Sequence, residues 1–332
     1  MKKEKEITPG VEETKPAEEP VVEELPEPVE EQAPKYSAPE LQNIEDARLE
    51  FLRTYRSQSR FKSIFFFVAL FVLVASFIVI PNIDAVKDIS MGLMIGIAVV
   101  ALAIVLIYSF LTKKNMSQKM RDYFGVFYGN TNEYVFAGKT YDKVIFENPG
   151  KIEPNLFLDS QLYANILEVR SRGATHFEYK GKQMLVCDCA GSVKGDRRVV
   201  PVFVGKYLVT GNSYKGEHPI YIYIKGDERA LPPNNMDEQK IVLDEKTMTV
   251  YSNDKKWNKT LGESLMKKIQ GFKPNKELVD ISIAIQPGTT YIAMGYDDPL
   301  MVVPLEQPFD ENPVKLYKKD LVKACEIAKE LD

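Results

Sequence analysis

Two uncharged apolar runs, separated by a short link, constrain this chain more than any other feature. Residues 63–80 read SIFFFVALFVLVASFIVI, and residues 89–112 read ISMGLMIGIAVVALAIVLIYSFLT. As a helix the first run covers roughly 27 Å, which matches the hydrocarbon core of a bilayer. The second is long enough to cross with some tilt. A helix apolar on every side for this length does not belong in the core of an ordinary soluble domain. Pro81 ends the first run, and the link PNIDAVKD (81–88) leaves room only for an antiparallel hairpin.

The flanks set the orientation. Arg53, Arg56, Arg60 and Lys62 precede the first run, and Lys113 and Lys114 follow the second, with Lys119 and Arg121 beyond. The link carries Lys87 beside Asp84 and Asp88. The bias of basic residues predicts a plasma (bacterial inner) membrane protein with two spans and both termini in the cytoplasm. Neither run contains an ionisable residue, which argues for an anchor in the lipid bilayer rather than a transport path. Gly92 and Gly96 form a GxxxG, a spacing that lets another backbone approach closely. Two readings of it stand: packing on the first span near Ala69 and Ser76, or association in the membrane, including a homodimer.

Ahead of the hairpin lies an acidic tail, residues 1–42. Its first forty residues hold 12 Glu, 5 Lys and 7 Pro, a net charge of −7 against −4 for the whole chain. Such a segment buries too little apolar surface to offset its ordering entropy, so disorder is expected. It reads as a solvated tail or as an arm for a basic partner. It does not read as a secretory signal, because the apolar stretch starts only near residue 63. Residues 43–62 place Ile44, Ala47, Phe51, Leu52 and Tyr55 at helical spacing, with Arg48, Arg53 and Arg56 between them. This juxtamembrane amphipathic helix either lies on the anionic leaflet or extends the first span and packs on the soluble domain.

Residues 113–332 read as a cytosolic α+β domain, a mostly antiparallel sheet covered by helices. After the second span an amphipathic helix is expected to end near Gly129-Asn130. A strand follows over 141–150, and FLDSQLYANILEVR (157–170) has helical character with Asp159 or Ser160 as cap. Next come a hairpin turning at Lys180-Gly181-Lys182 and a run of strands rich in β-branched and aromatic residues. A short helix is expected over 262–272, then a hairpin turning at Pro287-Gly288, a strand LMVVPL and a final helix with Pro313 in its first turn.

Chemistry is sparse. The chain has three cysteines, Cys187, Cys189 and Cys325, and two histidines, His176 and His218. GxSxG, HExxH, P-loop and GxGxxG patterns are all missing from the sequence, so no catalytic residue and no cofactor are assigned. Cys187 and Cys189, two apart on a strand, share a face about 7 Å apart, at the limit for an unstrained disulfide. If the hairpin turns tightly on Lys180-Gly181, residue 176 pairs with 185 and His176 joins that face. Three soft ligands there would seed zinc, although structural zinc usually takes four; buried free thiols are the expected reading. Trp257 with Lys255, Lys256 and Lys259 forms a basic aromatic patch, read as a solvated or lipid-facing surface. Outside the tail the balance is about +3, too weak a field for nucleic acid.

The succession FLDSQLY, HFEYKGKQMLVCD, VFVGKYLV, LGESLMKKI and TTYIAMGYDDPLMVVPLEQPFDEN, ending in a helix, resembles a bacterial membrane-protein family catalogued as domain of unknown function 3137. The resemblance covers roughly residues 115–332 and the two-span anchor. It implies an inner-membrane protein and carries over no catalytic residue. The function expected from all this is a membrane-anchored cytosolic binding or regulatory module with a protein partner. The alternatives are an enzyme with a carboxylate-lined cleft and a scaffold dimerising through Gly92 and Gly96.

Overall fold

A computed structural model describes residues 35–79, 90–148, 150–225, 240–244, 248–254, 256–297 and 303–331. The acidic tail up to residue 34 and the link 81–88 lie outside them, as does half of LMVVPL; its described residues, 303–305, are not a strand. Two helices come first, α1 (Pro39–Val79) and α2 (Ser90–Phe136). Both are long and apolar enough to cross a membrane. They run antiparallel: Asn43 bonds Asn130, Phe51 stacks on Tyr123, and Phe65 stacks on Tyr108. Along the apolar runs the side chains point outward, Phe67 and Phe71 among them. Among the described residues, a methyl group added to Gly92 or Gly96 meets no atom within 4 Å.

Among the described residues nine strands follow: β1 (Tyr141–Glu147), β2 (Ile166–Tyr179), β3 (Lys182–Lys194), β4 (Val199–Gly211), β5 (Ile220–Lys225), β6 (Lys240–Asp244), β7 (Met248–Ser252), β8 (Leu278–Gln286) and β9 (Thr289–Tyr296). They form one sheet in the order β1-β2-β3-β4-β9-β8-β5-β7-β6, and every neighbouring pair is antiparallel. Three more helices are α3 (Pro154–Leu158), α4 (Trp257–Gly271) and α5 (Asn312–Glu330). The expected hairpins are present. The β2–β3 turn is the tight one, with Lys180 at φ 50° and Gly181 at φ 83°, the paired left-handed residues that a two-residue turn matched to strand twist requires.

Strand alternation gives the sheet two unlike faces. In β5, IYIYIK, the isoleucines Ile220, Ile222 and Ile224 enter the helix-covered core and Tyr221 and Tyr223 enter the other. The helix-side core joins these isoleucines to Leu41 and Ile44 of α1, Phe127 and Val135 of α2, Leu265 of α4 and Leu321 of α5. On the opposite face Tyr207 donates to the Leu156 carbonyl, Tyr223 to the Leu162 carbonyl and Tyr221 to the Gln161 side chain. Those bonds seat the segment around α3 as a cover.

Three expectations need correction. The helix over 157–170 is not formed. A single turn, α3, starts at Pro154, and the chain then takes left-handed φ at Gln161 and Asn165 before entering β2 at Ile166. Two such residues cannot sit inside a helix, and burial of Leu162 and Tyr163 under the tyrosine face holds them there. Secondly, α2 runs past Gly129-Asn130 to Phe136. The burial of Val135 and Phe136 outweighs the glycine's helix penalty of about 1 kcal/mol. Thirdly, Trp257 opens α4 and lies in the core, 3% exposed, so no basic aromatic surface is built around it.

Candidate functional site

Two ion pairs, one fully buried and one largely so, lie on the helix side of the sheet. The first sits in the seam. Arg48 grips Glu45 with two of its three guanidinium nitrogens, Nε to Oε2 at 2.8 Å and Nη2 to Oε1 at 2.6 Å, and both residues are 1% exposed. The Phe309 amide donates to the same Oε2 at 3.0 Å, and Arg48 reaches the Leu305 and Glu306 carbonyls. Tyr36 donates to the Phe309 carbonyl and Tyr123 to the Pro304 carbonyl. Residues 304–309 thus form a strap tied to both long helices. Burial pushes the Glu45 carboxyl up. The Arg48 and Phe309 hydrogen bonds with the Arg48 charge more than offset this, and the carboxyl lies below its usual range.

Within residues 43–62, Ile44, Phe51 and Leu52 are buried against the domain, so residues 43–52 pack on it as the base of α1, whereas residues 53–62 are exposed apart from the half-buried Thr54 and Gln58. The positive flanks Arg53, Arg56, Arg60 and Lys62 belong to α1, and Lys113 and Lys114 to α2. All six side chains are exposed where the apolar runs begin and end.

The second pair stands at a cleft of about 680 Å³, within the size range of small-molecule sites. It arises from unequal strand lengths. β1 covers β2 only from Ala174 onward, and β9 covers β4 only from Gly205 onward, so β2, β3 and β4 project beyond the rest of the sheet. Tyr128 of α2, Lys151, Ile152, Arg170, Arg172, Asp188 and Val204 are among the lining residues. Asp188 pairs with Lys206 directly across the ladder, and Lys206 also lies over the Tyr317 ring of α5, 4.5 Å from its centre. Burial raises the Asp188 carboxyl; the charge and hydrogen bond of Lys206, together with Arg172, offset only part of it, and the carboxyl stays above its usual range. Its Oδ2 accepts no hydrogen bond.

The cations divide cleanly. Arg170 is held by Glu168 at 2.8 and 3.1 Å, and Lys206 by Asp188. Arg172 hydrogen-bonds a neutral partner, the Tyr128 hydroxyl at 2.6 Å, and its guanidinium lies 5.1 Å from the centre of that ring. Among the described residues neither Arg172 nor Lys151 forms an ion pair.

The sequence-derived candidates fall apart here. His176 does pair with Leu185, as a tight turn requires, yet it is exposed while Cys187 and Cys189 are buried free thiols. Among the described residues no group of three His, Cys, Asp or Glu side chains is placed to hold a metal ion. Alternation sends Cys187 and Cys189 to the tyrosine face and Asp188, between them, to the helix face. Cys325 is buried in α5 within the core, where burial raises its thiol well above the usual value. Compared with known proteins, the chain matches no family model, no curated protein and no solved structure.

Proposed function

We propose that this chain is a membrane-anchored binding or regulatory module of the bacterial inner membrane, with two spans and with its sheet domain and both termini in the cytoplasm. The observation that carries this reading is continuity. α1 and α2 each pass without a break from an exposed apolar half into a buried base that is part of the domain's core. A tethered domain needs only a linker; a domain that shares its core with the hairpin transmits displacement in either direction as a rigid body. The basic flanks of both runs favour the cytoplasmic placement. The resemblance to the family of domain of unknown function 3137 is consistent with such a protein and adds no catalytic residue.

The enzyme alternative calls for carboxylates converging in one cleft. Asp188 lines the cleft, while Asp280 on β8 and Asp320 on α5 are buried away from it. One observation favours the scaffold alternative as a second reading: among the described residues a carbon added at Gly92 or Gly96 meets no atom within 4 Å, which suits close association with a second copy. The test is a mild-detergent pull-down of the full-length protein from native membranes, beside a form lacking residues 1–40, each read by mass spectrometry. One near-stoichiometric partner supports the module, and its loss on truncation assigns the acidic arm. A solitary protein in both preparations overturns the protein-binding reading and moves weight to the enzyme.

A further inference from the structure

We propose that the cleft between the base of α2 and the projecting ends of β2, β3 and β4 binds a small, soluble, multiply charged oxyanion through Arg172 and Lys151. This rests on the reading of the domain as a binding module and names the ligand class of its cleft.

Three observations converge. The cleft is lined by Lys151, Arg170 and Arg172 against one carboxylate, Asp188, which Lys206 already neutralises from behind. Arg170 is answered by Glu168, while Arg172, whose charge also acts on Asp188, and Lys151 form no ion pair among the described residues. Secondly, Arg172 is held by a neutral group. Tyr128 takes one guanidinium edge and offers a ring face, which orients the fork while leaving its charge to a ligand. Planar bidentate recognition of carboxylate or phosphate is what such a fork does best. Arg170 and Arg172 stand two apart on one strand, roughly 7 Å along it. The exposed Glu168 pair contributes little and can yield to a ligand, so an anion with two charged ends can span both. Thirdly, Asp188 sits directly across the ladder from Arg172, and its Oδ2 accepts no hydrogen bond. A ligand hydroxyl beside the anionic group satisfies it.

The ligand's source follows from distance. Tyr128 lies sixteen residues beyond Thr112, where the apolar run ends. Along α2 that is about 24 Å at 1.5 Å per residue. The headgroup layer reaches only about 5–8 Å beyond the hydrocarbon. A lipid phosphate does not reach the cleft, and a dissolved metabolite does.

The experiment is isothermal titration calorimetry on the full-length protein in phosphatidylcholine nanodiscs, with citrate and glycerol 3-phosphate as separate probes. The expected result is one saturable site per chain for at least one probe. Arg172→Gln weakens it at least tenfold, Lys151→Gln weakens it less, and added salt weakens it in all forms. An Arg53→Gln/Arg56→Gln double variant, altered at the membrane flank, binds like the parent. Unchanged thermal unfolding of Arg172→Gln excludes loss of the fold as the cause. No saturable binding of either probe overturns the proposal, as does binding that Arg172→Gln leaves intact. In nanodiscs containing phosphatidylglycerol the affinity is expected to hold; competition that disappears with Arg172→Gln would assign the cleft to lipid and overturn the soluble source. A negative titration with a partner recovered in the pull-down removes the ligand alone, whereas a positive titration with no partner leaves the cleft standing and removes the protein-binding reading.

Discussion

Glu45–Arg48 and Asp188–Lys206 are two ion pairs in one layer of one domain, and they are finished to different degrees. Both oxygens of Glu45 are bonded, one of them twice. Asp188 is bonded through one oxygen and leaves the other without a donor. The consequences for ionisation are opposite, since Glu45 lies below the usual carboxyl range and Asp188 above it. A buried charge costs several kcal/mol to desolvate, and only full hydrogen bonding recovers that. The seam pair is built for holding. The cleft pair is left short of a donor, and its carboxylate lines the cleft.

The comparison breaks first at the seam. Glu45→Ala strands the Arg48 guanidinium and frees the strap, and it should cost about 3–5 kcal/mol of stability, read as denaturant unfolding in detergent. A Glu45→Leu/Arg48→Met double variant should recover most of that loss, since an apolar pair of similar volume is often neutral. A single-variant cost near zero would show that the seam does not hold the domain. The pH dependence follows from the sign of the Glu45 shift. A folded value below the unfolded one gives stability that is present above the unfolded range, near 4.5, and is lost as pH falls through the folded value. Glu45→Gln should flatten that acid limb.

Tyr123→Phe is a smaller cut at the same seam. It removes the hydroxyl bond to the Pro304 carbonyl and keeps the ring stacked on Phe51. About 1 kcal/mol is expected, with faster amide exchange confined to residues 303–309. At the cleft the matching variant, Arg172→Gln, should change stability by less than about 0.5 kcal/mol, because the side chain is exposed and its partner is a neutral hydroxyl. A destabilisation as large as that of Glu45→Ala would make Arg172 part of the frame and erase the contrast between the two pairs.

What the sequence disclosed follows from how local each feature is. The apolar runs, the tight turn at Lys180-Gly181 and the alternation of IYIYIK are local, and each emerges in the structure where its pattern stands. Segment 157–170 is also local in its apolar spacing, but its conformation is decided by distant tyrosines: Tyr221 bonds the Gln161 side chain, Tyr223 the Leu162 carbonyl and Tyr207 the Leu156 carbonyl just ahead of it. The cleft was illegible for the same reason taken further. Tyr128, Lys151, Arg172, Asp188 and Lys206 share no motif, and they meet because β2, β3 and β4 outrun their neighbours. Asp188 stood in view between two cysteines that drew attention as metal ligands. Alternation gave those cysteines to the other face and left the chemistry with the residue between them.

The smallest expected effect lies farthest from both pairs. Gly92→Leu and Gly96→Leu place side chains into open space, with no atom within 4 Å of the added carbon. Folding of the sheet domain should be unaffected, and the thermal midpoint should match the parent. The informative readout is association, measured as subunit number by single-molecule photobleaching in nanodiscs. If two copies meet through this face, the double variant reverts to one chain per disc, because leucine at both positions blocks the close backbone approach that glycine permits. If the parent is already single, the GxxxG serves no self-association and the scaffold reading loses its support. In that case the continuity of α1 and α2 with the core acts within a single chain, and whatever the cleft binds is reported through one hairpin alone.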